Sequence, residues 1–234
     1  MRAVDRGLAP KIYAHHNDAR HDLSGRIGYY CSYCEMGVNN MIEVEHVHPV
    51  ANGGNATDWD NFLLSCKYCN TVKSNNNGNR VGYFWPDIDN TDLLFDYTLD
   101  NRVLLVKTTH SAPHQAQANN LIQLCGLNRY PGSGNEPTQA DTRWRLRDQV
   151  MVQAMNSYNN WVKVKLQIPL ARPMMANQIA QTSIIGFYSV WCSIFSGEPI
   201  VLDEIDKLWK STYCNFKDFQ PNSTVRVIRP GGQI

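Results

Sequence analysis

No stretch of this 234-residue chain is apolar for long enough to span a bilayer. The longest apolar-biased run, Ser183 to Phe195, falls short of the ~20 residues a membrane helix needs, and reads as a buried helix. The N-terminal segment MRAVDRGLAPKIYAHHNDARHDL lacks both the apolar core and the small-residue cleavage site of a secretion signal. An excess of basic charge is missing too, since 22 Lys and Arg stand against 21 Asp and Glu, a net of +1. Bulk electrostatics therefore supply no affinity for a polyanion, which has to come from a local patch, a bound metal or a partner. No internal repeat or low-complexity segment is present. The seven cysteines are odd in number and accompanied by no export signal. A reducing cytoplasm is expected, with metal ligation favoured over disulfides.

What is present is 43% hydrophobic, enough to bury a core as one domain or as a small domain plus a second layer. Residues 1–12 read as extended, broken at Gly7 and Pro10. Tyr13, Ala19, Leu23 and Ile27 recur at helical spacing and predict a helix over 13–28. Ser74–Asn79 is a polar loop. From Gly82 the period shortens: GYFWP, LLFDYT and RVLLV predict short strands, with Asp100-Asn101 near a turn. Residues 87–100 hold five aspartates and no Lys or Arg, which predicts a solvated edge that blocks stray strand pairing. Helices are expected at Pro113–Cys125, closed by Gly126, and at Asp141–Lys165, with Trp144, Met151, Met155, Tyr158 and Trp161 facing inward. Ile179–Phe195 should form a central helix, and Pro199–Trp209 a last one opened by its proline. The final PGGQI reads as loose. Residues 139–172 carry six Lys or Arg against two acids, which allows a locally basic helix face; Arg143, Arg145 and Arg147 alternate and so spread around a helix, and solvated surface and polyanion contact are both compatible with them.

Cys31-Ser32-Tyr33-Cys34 and Cys66-Lys67-Tyr68-Cys69 each set two thiolates on one tight turn, half of a tetrahedral zinc site. The 31 residues between the pairs must fold on their own, with the metal pinning their ends. Cys125, Cys192 and Cys214 sit in apolar patterns and read as core thiols.

Between the pairs lie Val44-Glu45-His46-Val47-His48-Pro49, then Asn52-Gly53-Gly54-Asn55, then Asp60-Asn61-Phe62-Leu63-Leu64. Asn70-Thr71-Val72-Lys73 follows the second pair. Phosphodiester hydrolysis needs a base for water, a cation at the scissile phosphate and groups that align both. A hard cation such as Mg²⁺ takes oxygen ligands, which Glu45 and Asn70 offer, and His46 offers an imidazole.

In their order and spacing, these elements resemble the HNH nuclease family, whose fold is the ββα-metal hairpin. The resemblance implies an α+β protein, a zinc-knuckle ββα-metal hairpin within a mainly helical chain with a few additional short strands. It divides the chain into an HNH nuclease domain at 1–110 and a helical region at 111–234. His46 would be the general base and Asn61 the residue bracing the hairpin loop. Glu45 and Asn70 would bind a catalytic Mg²⁺ or Mn²⁺, Lys73 would touch phosphate, and Cys31, Cys34, Cys66 and Cys69 would hold a structural Zn²⁺.

The opening MRAVDRG, the lead-in Arg26-Ile27-Gly28 to Cys31, the segment Trp85-Pro86-Asp87 to Asn90, and Gly126-Leu127-Asn128-Arg129 add a second resemblance. It covers roughly the first 130 residues and is to the PtuB-type HNH proteins of Septu and retron-linked anti-phage systems. It implies an ABC/SMC-like ATPase partner of the PtuA type, and in some systems a retron reverse transcriptase with its RNA. DNA is the default substrate and RNA the alternative. Two other functions compete: a zinc-stabilised binding module without catalysis, and an adaptor that regulates the ATPase.

Overall fold

The computed structural model describes residues 1–97, 104–213 and 229–234. An irregular N-terminal segment passes through a 3-10 turn, His16–Ala19, into helix α1, Arg20–Ile27. The helix expected over 13–28 is thus shorter at its start. Tyr13 Oη donates to Asp22 and Lys11 pairs with the same carboxylate, so residues 11–13 fold back against α1 instead of extending it.

Strands β1, Ile42–His46, and β2, Phe62–Cys66, pair antiparallel, with Ile42 opposite Cys66 and His46 opposite Phe62. Helix α2, Lys67–Lys73, begins at once, its N-cap being Cys66, whose Sγ accepts from the Cys69 N–H. Every residue of β2 is buried, since β1 covers one edge while α1 and α2 also pack on it. A second hairpin, β3 Phe95–Tyr97 with β4 Leu104–Val106, follows; the predicted turn at Asp100-Asn101 lies outside the described residues. Among the described residues five α-helices follow: α3 Ala112–Cys125, α4 Arg143–Gln167, α5 Arg172–Ser183, α6 Tyr188–Ile194 and α7 Pro199–Tyr213. The architecture is the expected one, a ββα hairpin and a four-cysteine cluster inside a mainly helical α+β protein.

Gly126 ends α3 in the left-handed conformation, as its position required. The apolar stretch Ile179–Phe195 is central but is two helices. It breaks at Gly186 and Phe187, where the Phe187 N–H donates to the Glu35 carbonyl at 2.8 Å. A side chain at Gly186 would meet the backbone of Glu35 and Gly37 at under 3 Å, so only glycine lets the two chains touch.

Three expectations fail for one reason: polar side chains replace ladder or solvent partners. Gly82–Pro86 is not a strand, because the Trp85 N–H is taken by the Asp89 carboxylate at 2.7 Å. Three of the aspartates beyond it are not solvated, whereas Asp96 on β3 is exposed as expected and Asp100 lies outside the described residues. Asp87 is buried between Arg6 and Arg80, each 2.8 Å away, and Asp89 and Asp92 are buried too. The C-terminal residues are pinned: Asn90 Nδ2 donates to the Ile234 carbonyl, and Asp89 accepts the Gln233 N–H.

One hydrophobic cluster runs from Leu23, Phe62 and Leu64 through Trp85 and Leu121 to Trp161, Trp191 and Trp209. Helix α1 packs on α7, and α2 on α3, so the ββα unit is held on two sides. Cys125 and Cys192 are buried thiols outside any disulfide; Cys214 lies outside the described residues. Among those residues, no helix is long and apolar enough to cross a membrane.

Candidate active site and metal centre

The four predicted knuckle cysteines converge. Their sulfurs all lie within 4.8 Å of one another, all four residues are buried, and no disulfide joins them. Sulfurs about 2.3 Å from a central zinc stand about 3.8 Å apart at the corners of a tetrahedron; Cys34 Sγ and Cys66 Sγ are 3.8 Å apart. The backbone already serves the anionic form, with the Cys34 N–H aimed at Cys31 Sγ and the Cys69 N–H at Cys66 Sγ. Donor set, spacing and burial therefore fit a closed, structural metal site. The first pair is tied to the hairpin where Ser32 N–H donates to the Leu64 carbonyl at 2.8 Å.

His46 ends β1 with its ring partly exposed. Its Nε2 stands 3.0 Å from the Ala56 carbonyl oxygen. A carbonyl only accepts, so Nε2 carries the proton and the Nδ1 lone pair is left to take a proton from water. Phe62 packs edge-on against the ring and His16 lies beside it, ring centres 5.4 and 4.8 Å away. Partial burial, and then the neighbouring His46, hold the His16 pKa below its ordinary value. Sequence reasoning missed this second imidazole: residues 16 and 46 meet only when the N-terminal segment folds over the hairpin, and His16 belongs to no periodic pattern.

Asn61 lies under the loop that carries Ala56. Its Oδ1 accepts the His48 N–H at 2.8 Å, and its Nδ2 donates to the carbonyls of His48 and Asn55 at 2.9 Å each. The loop closes tightly enough that a side chain at Gly54 would overlap the His48 carbonyl. On its far side, Asn52 Nδ2 bonds the Asn75 and Asn77 carbonyls and Asn77 Nδ2 bonds that of Val47. His48 Nε2 is occupied by the Asn52 carbonyl.

Glu43 and Glu45, two residues apart on one strand, share a face, and that face meets α2. Asn70 Nδ2 donates to Glu43 Oε2 at 2.7 Å. That bond leaves Asn70 Oδ1 and the other Glu43 oxygen outside the contact between the two side chains. Glu45 is deeper, with 2% exposed; Lys73 Nζ sits 2.5 Å from Oε1 and Tyr33 Oη donates to Oε2 at 2.5 Å. Burial raises the Glu45 pKa, and the lysine and phenol pull it back. Glu43 and Asn70 thus meet across two facing elements, while both oxygens of Glu45 are taken by Lys73 and Tyr33. Lys73 itself corrects the sequence reading. It is 1% exposed and bonds Glu45 and the His46 carbonyl, so it balances a buried carboxylate and does not face a phosphate.

The basic face that the sequence allowed on α4 is not built from its three arginines. Arg143 and Arg147 are buried, and only Arg145 of the three is exposed.

Residues 31–76 match the family model described as HNH endonuclease. The chain is 32% identical over 99 residues to the Septu protein PtuB of Bacillus thuringiensis, an alignment covering 39% of this chain and 38% of that relative. The chain thus spans well under half the length of the curated relative it matches. No solved structure matches it.

Proposed function

We propose that the chain is a metal-dependent HNH endonuclease and the effector subunit of an anti-phage defence complex. The observation that carries the reading is the environment of His46: a partly exposed imidazole with Nε2 held by the Ala56 carbonyl, at the end of the strand that carries Glu43 and Glu45 and packs against the helix of Asn70. In this reading His46 Nδ1 takes the proton of the attacking water. Asn61 fixes the loop carbonyl that sets the ring's tautomer. Glu45 and Asn70, with Glu43 beside them, would hold one Mg²⁺ or Mn²⁺, which when bound offsets phosphate charge and stabilises the leaving oxygen. The four cysteines would hold a structural Zn²⁺. Residues 1–110 form the nuclease unit and 111–234 the helical region.

The similarity to a Septu protein supports a partner ATPase of the PtuA type, with a retron reverse transcriptase and its RNA as a further partner in some systems. A net charge of +1 agrees with a chain that relies on a partner to gather substrate. DNA is the proposed substrate, since positioning and charge stabilisation at a phosphodiester need no 2′-hydroxyl. The test is incubation of the purified complex with plasmid, single-stranded DNA and total RNA, with and without Mg²⁺. Mg²⁺-dependent cleavage of DNA is expected; no cleavage of any of the three refutes the reading and leaves a binding module.

A further inference from the structure

We propose that Arg143 and Arg147, at the start of α4, are the counter-charge of the four-cysteine centre, and that metal binding there locks the helical region onto the ββα unit. The proposal rests on the zinc reading above. Arg143 Nη1 lies 3.0 Å from Cys69 Sγ. Its remaining donors are all used: Nε and Nη2 fork onto Asp141 at 2.8 and 2.7 Å, Nη1 reaches the Cys125 carbonyl and Nη2 that of Gly126. The guanidinium also lies over the ring of Tyr68, inside the second cysteine pair. Held by five groups on three segments, it cannot turn away from the sulfur. Arg147 follows one helical turn later, is equally buried, and donates Nη1 to the Leu127 carbonyl while its Nε has no partner. Both arginines line one small internal cavity together with Cys34.

The chemistry requires such groups. Four thiolates around a divalent zinc leave a net charge of −2 in a site that water does not reach, and a buried net charge is costly unless it is paired. Asp141 cancels one of the two guanidinium charges, so the surroundings contribute a net +1 in direct or near contact with sulfur. Hydrogen bonds to an ionised acceptor are the strong ones, and the Arg143 guanidinium is already in place to make one to Cys69. In sequence the RWRLR segment fits solvated surface and a contact for a foreign polyanion equally well. Its anion is this chain's own knuckle, 74 residues away.

The experiment is the rate of zinc transfer from the full-length chain to an excess of chromogenic chelator, well below the melting temperature. Metal analysis of the wild type comes first, and absence of zinc there refutes the zinc reading itself. Groups behind metal ligands typically change affinity 10–100-fold. Arg143→Leu should therefore release zinc about 10–100 times faster than wild type, and Arg147→Leu faster by a smaller factor. The exposed neighbour Arg145→Leu should leave the rate unchanged. A folded Arg143→Leu that releases zinc at the wild-type rate overturns the proposal. Should that variant not fold, hydrogen exchange of the wild type decides: stripping the metal should deprotect the first turns of α4, and unchanged protection there overturns the lock.

Discussion

Replacing Lys73 with methionine keeps most of its volume and removes its charge and its bond to the His46 carbonyl, which makes it a test of the buried pair at the centre of the hairpin. Glu45 and Lys73 are 2% and 1% exposed, and their 2.5 Å contact is not screened by water. Removing one partner of a buried pair costs about 3–5 kcal/mol, because the other charge is stranded. For a chain of this size each kcal/mol moves the melting temperature by about 2–4 °C, so Lys73→Met should melt about 6–20 °C lower at neutral pH. The pH dependence has a definite sign. Burial raises the folded-state pKa of Glu45 above 4.5, and loss of Lys73 raises it further. The folded protein then holds a proton that the unfolded chain has released, so stability falls as pH rises through that window. The deficit of Lys73→Met should therefore shrink as the pH is lowered toward 4.5. Glu45→Gln combined with Lys73→Met should be less damaging than the sum of the single changes, since a neutral pair of similar shape strands no charge. Thermal melts of the four proteins across pH measure all of this. A single variant within about 2 °C of wild type at neutral pH, or strictly additive changes, would refute the description of this pair.

Three further outcomes are expected. Asn61→Ala leaves the His48 N–H and the carbonyls of His48 and Asn55 without their partner; it should cost about 1–3 kcal/mol in denaturant melts and speed amide exchange in residues 48–56. Prolonged chelation should release about one zinc per chain and unfold the hairpin cooperatively, seen as loss of near-ultraviolet dichroism, because metal binding and folding are coupled in such sites. Asn70→Ala should weaken divalent-metal dependence of cleavage, with activity partly restored by excess Mn²⁺; an unchanged metal titration would remove Asn70 and Glu43 from the cation site.

How much of this was legible in the sequence follows the range of the interactions. The cysteine quartet, the hairpin and α2 were readable because their signals are local: two CxxC turns, an apolar strand, and an asparagine directly after the last cysteine. Gly126 was readable because a helix end needs one residue of positive φ. Glu43 could have been found, since its place two residues before Glu45 puts it on the same face. His16, Arg143 and the buried role of Lys73 could not. They depend on contacts spanning 30, 74 and 28 positions, to His46, Cys69 and Glu45. The misreading of Asp87 and Asp89 has the same origin: an acidic run looks solvated until Arg6 and Arg80 reach Asp87 and the N–H groups of Trp85 and Gln233 reach Asp89.

The most direct test of the central claim is the cleavage rate of the purified complex carrying His46→Ala, beside wild type and under the same Mg²⁺. A general base contributes about 10²–10⁴-fold, and His46 is not among the four knuckle ligands. Cleavage should fall by that factor while zinc content, melting temperature and partner binding stay at wild-type values, and no divalent metal should restore it. Full cleavage by His46→Ala would contradict the assignment of this hairpin as the catalytic site.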